Sequence, residues 1–248
     1  MRLYDSVITD IDEQLSPFTP RVWAYDERGA WPDVGASELV LQRDAAYELG
    51  GSGCPAVHFT CVTTEEILTE NQVMLYGPDL REVKRDAPYA RIAILTTTQL
   101  GEDDEAAYKT IRDMEFVKYH VFPKGYMFRI SSGDFREQVR VSRSALQKGI
   151  SFRSVGFDFI RQYLKNPNVL KVKLLFVTDP QAPYQRLRAC AKKTADITRT
   201  LTHILDGMPT DCGSCHLKPV CDEVEGMRRL HFKQSKTLNI VANRIKSF

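Results

Sequence analysis

The 248 residues carry little net charge: 34 lysines and arginines stand against 32 aspartates and glutamates, a formal balance of +2. That total gives no ground for a polyanion partner, so nucleic acid is not expected. Long apolar runs are missing too. No stretch approaches the roughly 20 apolar residues that a membrane helix needs, and no membrane span is expected. The opening stretch MRLYDSVITDIDEQL has no basic-then-apolar run and no small-residue cleavage site, and it is acidic, unlike a secretion or transit signal. A cytoplasmic protein with reduced thiols is the expectation. Phosphate-loop signatures are absent as well. The glycines of Gly50-Gly51-Ser52-Gly53 fit no Gly-x-Gly-x-x-Gly pattern and no Lys-Ser/Thr follows, so they read as a plain turn. No Ser-His-Asp or Cys-His catalytic pairing, internal repeat or low-complexity segment is found.

What is there is ordinary for a globular chain, with 43% hydrophobic and 27% charged residues and enough length for one large core or two modest domains. Residues 1–36 mix Pro17, Pro20 and Pro32 with both tryptophans and no clear period, which predicts an irregular N-terminal arm. From 37 to 207 strand and helix patterns alternate. AVHFTCV (56–62), QVMLY (72–76), YARIAILTTT (89–98), GYMFRISS (125–132) and VLKVKLLFV (169–177) read as strands, the last with Val172, Leu174 and Phe176 on its apolar face. Residues 101–122, 134–149 and 156–167 read as helices. The segment after Pro183 reads as a long one, with Leu187, Cys190, Ala191, Thr194, Ile197, Leu201 and Ile204 along one stripe. The expected class is mixed α/β (α+β), a sheet covered by helices, with a cysteine-containing metal-binding segment at 208–248.

Single titratable residues read mostly as structure. His58 and Cys61, three apart in a strand, take opposite faces and read as packing residues, as does Cys54. His120 and His203, in apolar helical stretches, read as core or boundary histidines. Arg129, Arg140, Arg143, Arg153 and Arg161 thicken the basic charge over 129–161; exposed helix faces account for most of them, and a phosphate contact is the alternative. The tail from Met227 to Phe248 has six lysines and arginines and no acid, which reads first as a solvated basic helix face, and otherwise as a contact for a nucleic acid, a phosphorylated cofactor or an acidic partner.

The concentrated signal is DCGSCHLKPVC (211–221). Cys212, Cys215 and His216 spell the attachment pattern of a c-type haem, but that attachment takes place outside the cytoplasm. Cys212, Cys215 and Cys221 spell Cys-x2-Cys-x5-Cys. A Cys-x2-Cys turn presents two sulfurs to one point, which is why it opens many zinc and iron–sulfur sites. A fourth ligand is needed, and His231, Cys190 and an exogenous group remain as candidates. His231 lies between Leu230 and Phe232, which would shield a site from water; an imidazole would also raise a cluster's potential. Cys190 lies on the inward stripe of the long helix, where a reduced cysteine is commonly a small apolar side chain.

YELGG (47–51), YGPDL (76–80), FVKYHVFPKGYMFRIS (116–131), SVGFDFIRQYLKNPNVLKVKLLFVTD (154–179) and the Cys-x2-Cys after the long helix, in that order, resemble the β subunit of the carbon monoxide dehydrogenase/acetyl-CoA synthase complex. The resemblance runs over roughly residues 40–231. It implies that Cys212 and Cys215 open a metal-cluster segment, a [4Fe-4S] cluster with zinc as the alternative. His231 falls at the family's gap to a fourth ligand, whereas Cys221 comes earlier than the family's third cysteine. The family's nickel ions need a later Cys-x-Cys pair, and no cysteine follows Cys221 here. The resemblance thus implies an iron–sulfur protein acting as a binding or electron-transfer partner in corrinoid-linked one-carbon metabolism, without nickel-based acetyl-CoA synthesis. A corrinoid protein or methyltransferase is the implied partner, and coenzyme A or a nucleotide the implied ligand. The alternative from another class is a zinc-stabilised structural or adaptor protein.

Overall fold

Three apolar runs build one side of the larger of two sheets, from its middle to its edge: β8 (Val169–Val177), β5 (Tyr89–Thr97) and β3 (Ala56–Thr63). β3 and β5 are buried at every position, as expected of strands covered on both faces. The computed structural model describes residues 3–29, 31–32, 46–51, 53–98, 104–121, 123–131, 135–205, 214–215 and 217–223. With β1 (Arg21–Ala24) and β4 (Gln72–Tyr76), the three form a five-stranded mixed sheet in the order β1-β4-β8-β5-β3. β4 with β8 and β3 with β5 run parallel, while the other neighbours are antiparallel. A smaller antiparallel sheet has the order β2 (Ala46–Leu49), β7 (Arg136–Ser142), β6 (Tyr126–Ser131), and β7 lies against β3 and β5.

Helices cover the larger sheet on both faces. α1 (Asp5–Leu15), α2 (Asp104–Phe116) and α5 (Tyr184–Leu205) pack together over β3. Lys173 of β8 reaches Asp12 of α1 at 3.2 Å. Three residues on, and therefore on the opposite face, the ring of Phe176 meets Phe152 of α4 (Phe152–Tyr163) at 4.5 Å. α4 starts a turn earlier than its apolar pattern predicts, because Ser151 and Ser154 form a reciprocal capping box at its start. Its Gly156 lies directly on Val73 of β4. Val172, Leu174 and Phe176 of β8 are fully buried, and the long helix buries Leu187, Cys190, Ala191, Thr194, Ile197 and Leu201, as its stripe predicts.

The mixed α/β class is the observed architecture, and three local expectations need correction. Within the expected irregular arm, the described residues form regular elements. α1 buries Val7, Ile8, Ile11 and Leu15, a helical spacing, and β1 pairs with β4. The helix expected over 134–149 is not one helix across the described residues 135–149. They hold β7 and then the short α3 (Arg143–Gln147), and β7 alternates half-buried Arg136, Gln138 and Arg140 with buried Glu137, Val139 and Val141. The period of two was masked by an inward-facing acid. His120 ends a 3₁₀ helix (Val117–His120) and is exposed, so it is neither a core nor a boundary histidine. His203 has a side chain outside the described residues.

The inward acid has a partner. Arg91 of β5 and Glu137 of β7 are 1% and 0% exposed and join the two sheets. Arg91 Nε donates to both Glu137 oxygens at 2.9 and 3.1 Å, and Nη2 donates to one of them at 2.5 Å. The Tyr89 hydroxyl donates to the same carboxylate at 3.1 Å, and the guanidinium lies 4.5 Å from the ring centroid of Phe159. Burial by itself would lower the Arg91 pKa, but the Glu137 carboxylate overrides that and keeps it raised. Gly50 and Gly53 sit in a turn, as expected, with φ of 65° and 83°. Its carbonyls at Gly50 and Gly51, with that of Cys54, accept from Arg136, so they converge on a cation and form no phosphate cradle.

Candidate functional site

β3 is an edge strand of the larger sheet, and a cavity of about 420 Å³ opens along it. Its walls come from β3, α2, the 3₁₀ helix, α5 and Phe135 at the start of β7. Phe135 has φ of 56°, a left-handed conformation that costs a bulky residue about 1–3 kcal/mol. In that conformation its carbonyl accepts the His58 backbone N–H at 2.8 Å, capping the strand edge, and its ring forms part of the cavity wall.

Side chains of both signs meet there: the charges of Lys118 and Arg112 act on Glu115, yet among the described residues neither cation reaches it at ion-pair distance. His58 is 5% exposed, and its Nε2 has no hydrogen-bond partner among the described residues. Burial, reinforced by the charges of Lys118 and Arg91, pushes its pKa well below the usual histidine value, so the ring is neutral. Register explains the Arg91 contribution: His58 is paired with Arg91 across the parallel β3–β5 ladder. Lys118, on the 3₁₀ helix, is half-buried; burial first, then Arg91, lowers its pKa. No described carboxylate lies at ion-pair distance from it, and its one ring contact is Tyr119 at 5.3 Å. One turn earlier, Glu115 has its pKa raised by burial, opposed by a 2.8 Å bond donated by Thr198 of α5.

The mouth is aromatic and cationic. Arg112 donates to the Tyr108 hydroxyl at 3.1 Å and lies over the rings of Tyr108 and Phe116. Phe116 and Tyr119 are each 43% exposed, unusual for rings of that size. The apolar back wall includes Phe59, Ala191 and Ala195. An unpaired ammonium, an orphaned imidazole nitrogen and a stacked guanidinium over an apolar wall form a pocket of the usual ligand-site type.

None of these residues was singled out from sequence as a site, and His58 was read as packing. The available signal was the run of threonines at 194, 198 and 202, which puts hydroxyls at helical spacing on a helix otherwise buried by apolar residues. Thr198 bonds Glu115 and Thr202 bonds Tyr108 at 2.8 Å, so that stripe is the polar seam of the cavity.

The sequence-derived metal ligands fall elsewhere. Cys212 and His231 lie outside the described residues, and so does the side chain of Cys221, although its backbone belongs to α6 (Lys218–Glu223). Cys215 is half-buried, and its carbonyl accepts the Lys218 N–H at 3.1 Å. Leu217 is buried, and α6 packs on α5. Cys190 is 4% exposed; its Sγ accepts from Gln14 of α1 at 3.5 Å, and burial raises its thiol pKa. Among the described residues no group of three His, Cys, Asp or Glu side chains converges as a metal site would require. No helix among them is long and apolar enough to cross a membrane.

Comparison with known proteins bears on the same elements. No curated protein matches the chain. Residues 34–182 match the family model CdhC, the CO dehydrogenase/acetyl-CoA synthase complex beta subunit. That span runs from before β2 to just short of α5, and it takes in β3, α2, the 3₁₀ helix and Phe135, every wall of the cavity except α5. Since the match covers more than half of its residues, the chain belongs to the CO dehydrogenase/acetyl-CoA synthase complex beta subunit family.

Proposed function

We propose that this chain is a cytoplasmic iron–sulfur protein of the family, acting as a binding or electron-transfer partner in corrinoid-linked, methyl-transferring one-carbon metabolism. The observation that carries the reading is the Cys212, Cys215, Cys221 spacing directly after α5. Three thiolates are soft donors of the kind that hold iron–sulfur clusters, zinc or Cu(I). Cys215 fits the role: it is half-buried, and the turn that follows it leads into α6, which packs on α5. His231 is the proposed fourth ligand, with Cys190 as the alternative. A bound [4Fe-4S] cluster would supply one-electron transfer. The chain's own contribution is to bring the thiolates together and to shield them.

The family name is that of a subunit within a complex, which supports a protein partner; a corrinoid protein or methyltransferase is the one proposed. Coenzyme A or a nucleotide is the proposed small ligand. These 248 residues hold no cysteine beyond Cys221, so nickel-based acetyl-CoA synthesis is not part of the proposal.

Ser replacements at Cys212, Cys215 and Cys221, one at a time, test the reading after anaerobic purification. Shared ligation couples metal binding to local folding, so each variant should lose most of its metal. A brown protein with iron supports the cluster, whereas a colourless one with stoichiometric zinc points to a structural adaptor. Full metal occupancy in any two of the three variants refutes a common site.

A further inference from the structure

We propose that the cavity beside β3 is a binding site for a small organic anion, a carboxylate or phosphate ester carried on an aromatic or branched apolar body. It stands on different residues from the cysteine segment and does not depend on a bound metal.

The argument starts from what the cavity leaves uncompensated. An ammonium taken partly out of water loses hydration that some acceptor must replace. Lys118 has no carboxylate at ion-pair distance among the described residues, and the nearby Glu115 already accepts from Thr198. His58 presents a neutral ring with an orphaned Nε2, 95% buried by its 5% exposure, on the same wall. Buried polar atoms without partners are rare, and those that persist mark a missing partner, whether ion, water or ligand. Among the described residues Arg112 is a second cation with no carboxylate at ion-pair distance, and its guanidinium lies over two rings and bonds the Tyr108 hydroxyl. By contrast, Arg199 at the rim is already paired with Asp196 at 3.2 Å and is not assigned a role.

Charge and shape together select the ligand. Two unpaired cations and an imidazole favour an anionic head bearing several acceptor oxygens. Phe59, Phe135 and the alanines of α5 offer it no polar partner, so the body beyond the head must be apolar. A volume of about 420 Å³ suits one ring or a short branched chain with its head group. The strained Phe135 fits the same picture, since its left-handed backbone holds a ring on the wall while its carbonyl closes the β3 edge.

Calorimetric titration of the full chain with benzoate, phenyl phosphate and neutral benzyl alcohol tests the proposal. At least one anion should bind, and the alcohol should bind at least about tenfold more weakly, because a charge-assisted hydrogen bond is worth that much. Preference between benzoate and phenyl phosphate identifies the head group. Lys118→Met and Arg112→Gln should each weaken the anion about tenfold or more. Arg112 is exposed, so its variant folds even if the lysine variant does not. In parallel, the His58 ring resonances should shift on addition of the anion. Equal binding of anion and alcohol, no binding of either anion, or an Arg112→Gln variant with unchanged affinity would each overturn the proposal.

Discussion

Replacing Glu137 by Gln removes one charge from the interior and leaves Arg91 without its counter-ion. Glu137 accepts three bonds from Arg91 and one from Tyr89, all inside a region where both ionic side chains are essentially unexposed. Glutamine keeps the shape but turns one acceptor oxygen into an NH₂ donor, facing guanidinium N–H groups that are themselves donors. At least one of those bonds becomes a donor–donor contact, and the guanidinium charge stays buried. The ring of Phe159 compensates only in part, because a desolvated cation–π contact is worth about 2 kcal/mol. Breaking one side of a buried pair typically costs about 3–5 kcal/mol, a large share of the roughly 5–15 kcal/mol that holds a domain folded. Replacing both partners with apolar residues of similar volume, Arg91→Met with Glu137→Leu, should be far less costly than the single change. Urea unfolding of the wild type, the single variant and the double variant measures both quantities. A loss below about 1 kcal/mol for Glu137→Gln, or a double variant no more stable than the single, would refute the view that an unpaired buried charge sets the cost.

Two further predictions concern stability and packing. His58 has a lowered folded-state pKa, so the unfolded chain binds its proton first. Stability should therefore fall as pH drops below about 6.5, by about 1.4 kcal/mol per pH unit from this group until the folded value is reached. His58→Gln should remove that portion of the slope in urea titrations between about pH 7 and about pH 5, and an unchanged slope would assign the effect to another group. Gly156→Ala would ordinarily gain about 1 kcal/mol of helix propensity. Here the new Cβ would sit 2.4 Å from Val73 Cγ2 and 2.8 Å from Cγ1, and overpacking of that kind costs about 1–3 kcal/mol. Gly156→Ala should thus lower the thermal midpoint, and Val73→Ala in the same chain should relieve part of the loss; a raised midpoint for Gly156→Ala alone would show that α4 shifts away freely.

The sequence by itself determined the elements whose burial is written in their period. The α5 stripe from Leu187 to Leu201 was legible because 3.6-residue spacing and a single buried face are the same information. β3, β5 and β8 were legible as apolar runs. The family was legible too, in the order of short motifs that the matched span 34–182 largely contains. β7 was not, because one of its three inward positions is Glu137, whose burial makes sense only once Arg91 of β5 stands opposite. Tertiary structure alone decided the cavity. His58, Arg112, Lys118, Phe135 and Thr198 are spread over 140 residues, and they meet because β3 ends the sheet and α2 and α5 close over its edge. A residue's period tells which way it faces within its own element. It carries no information about which other element arrives in front of it, and the sheet order β1-β4-β8-β5-β3, out of step with the chain, is where that was settled.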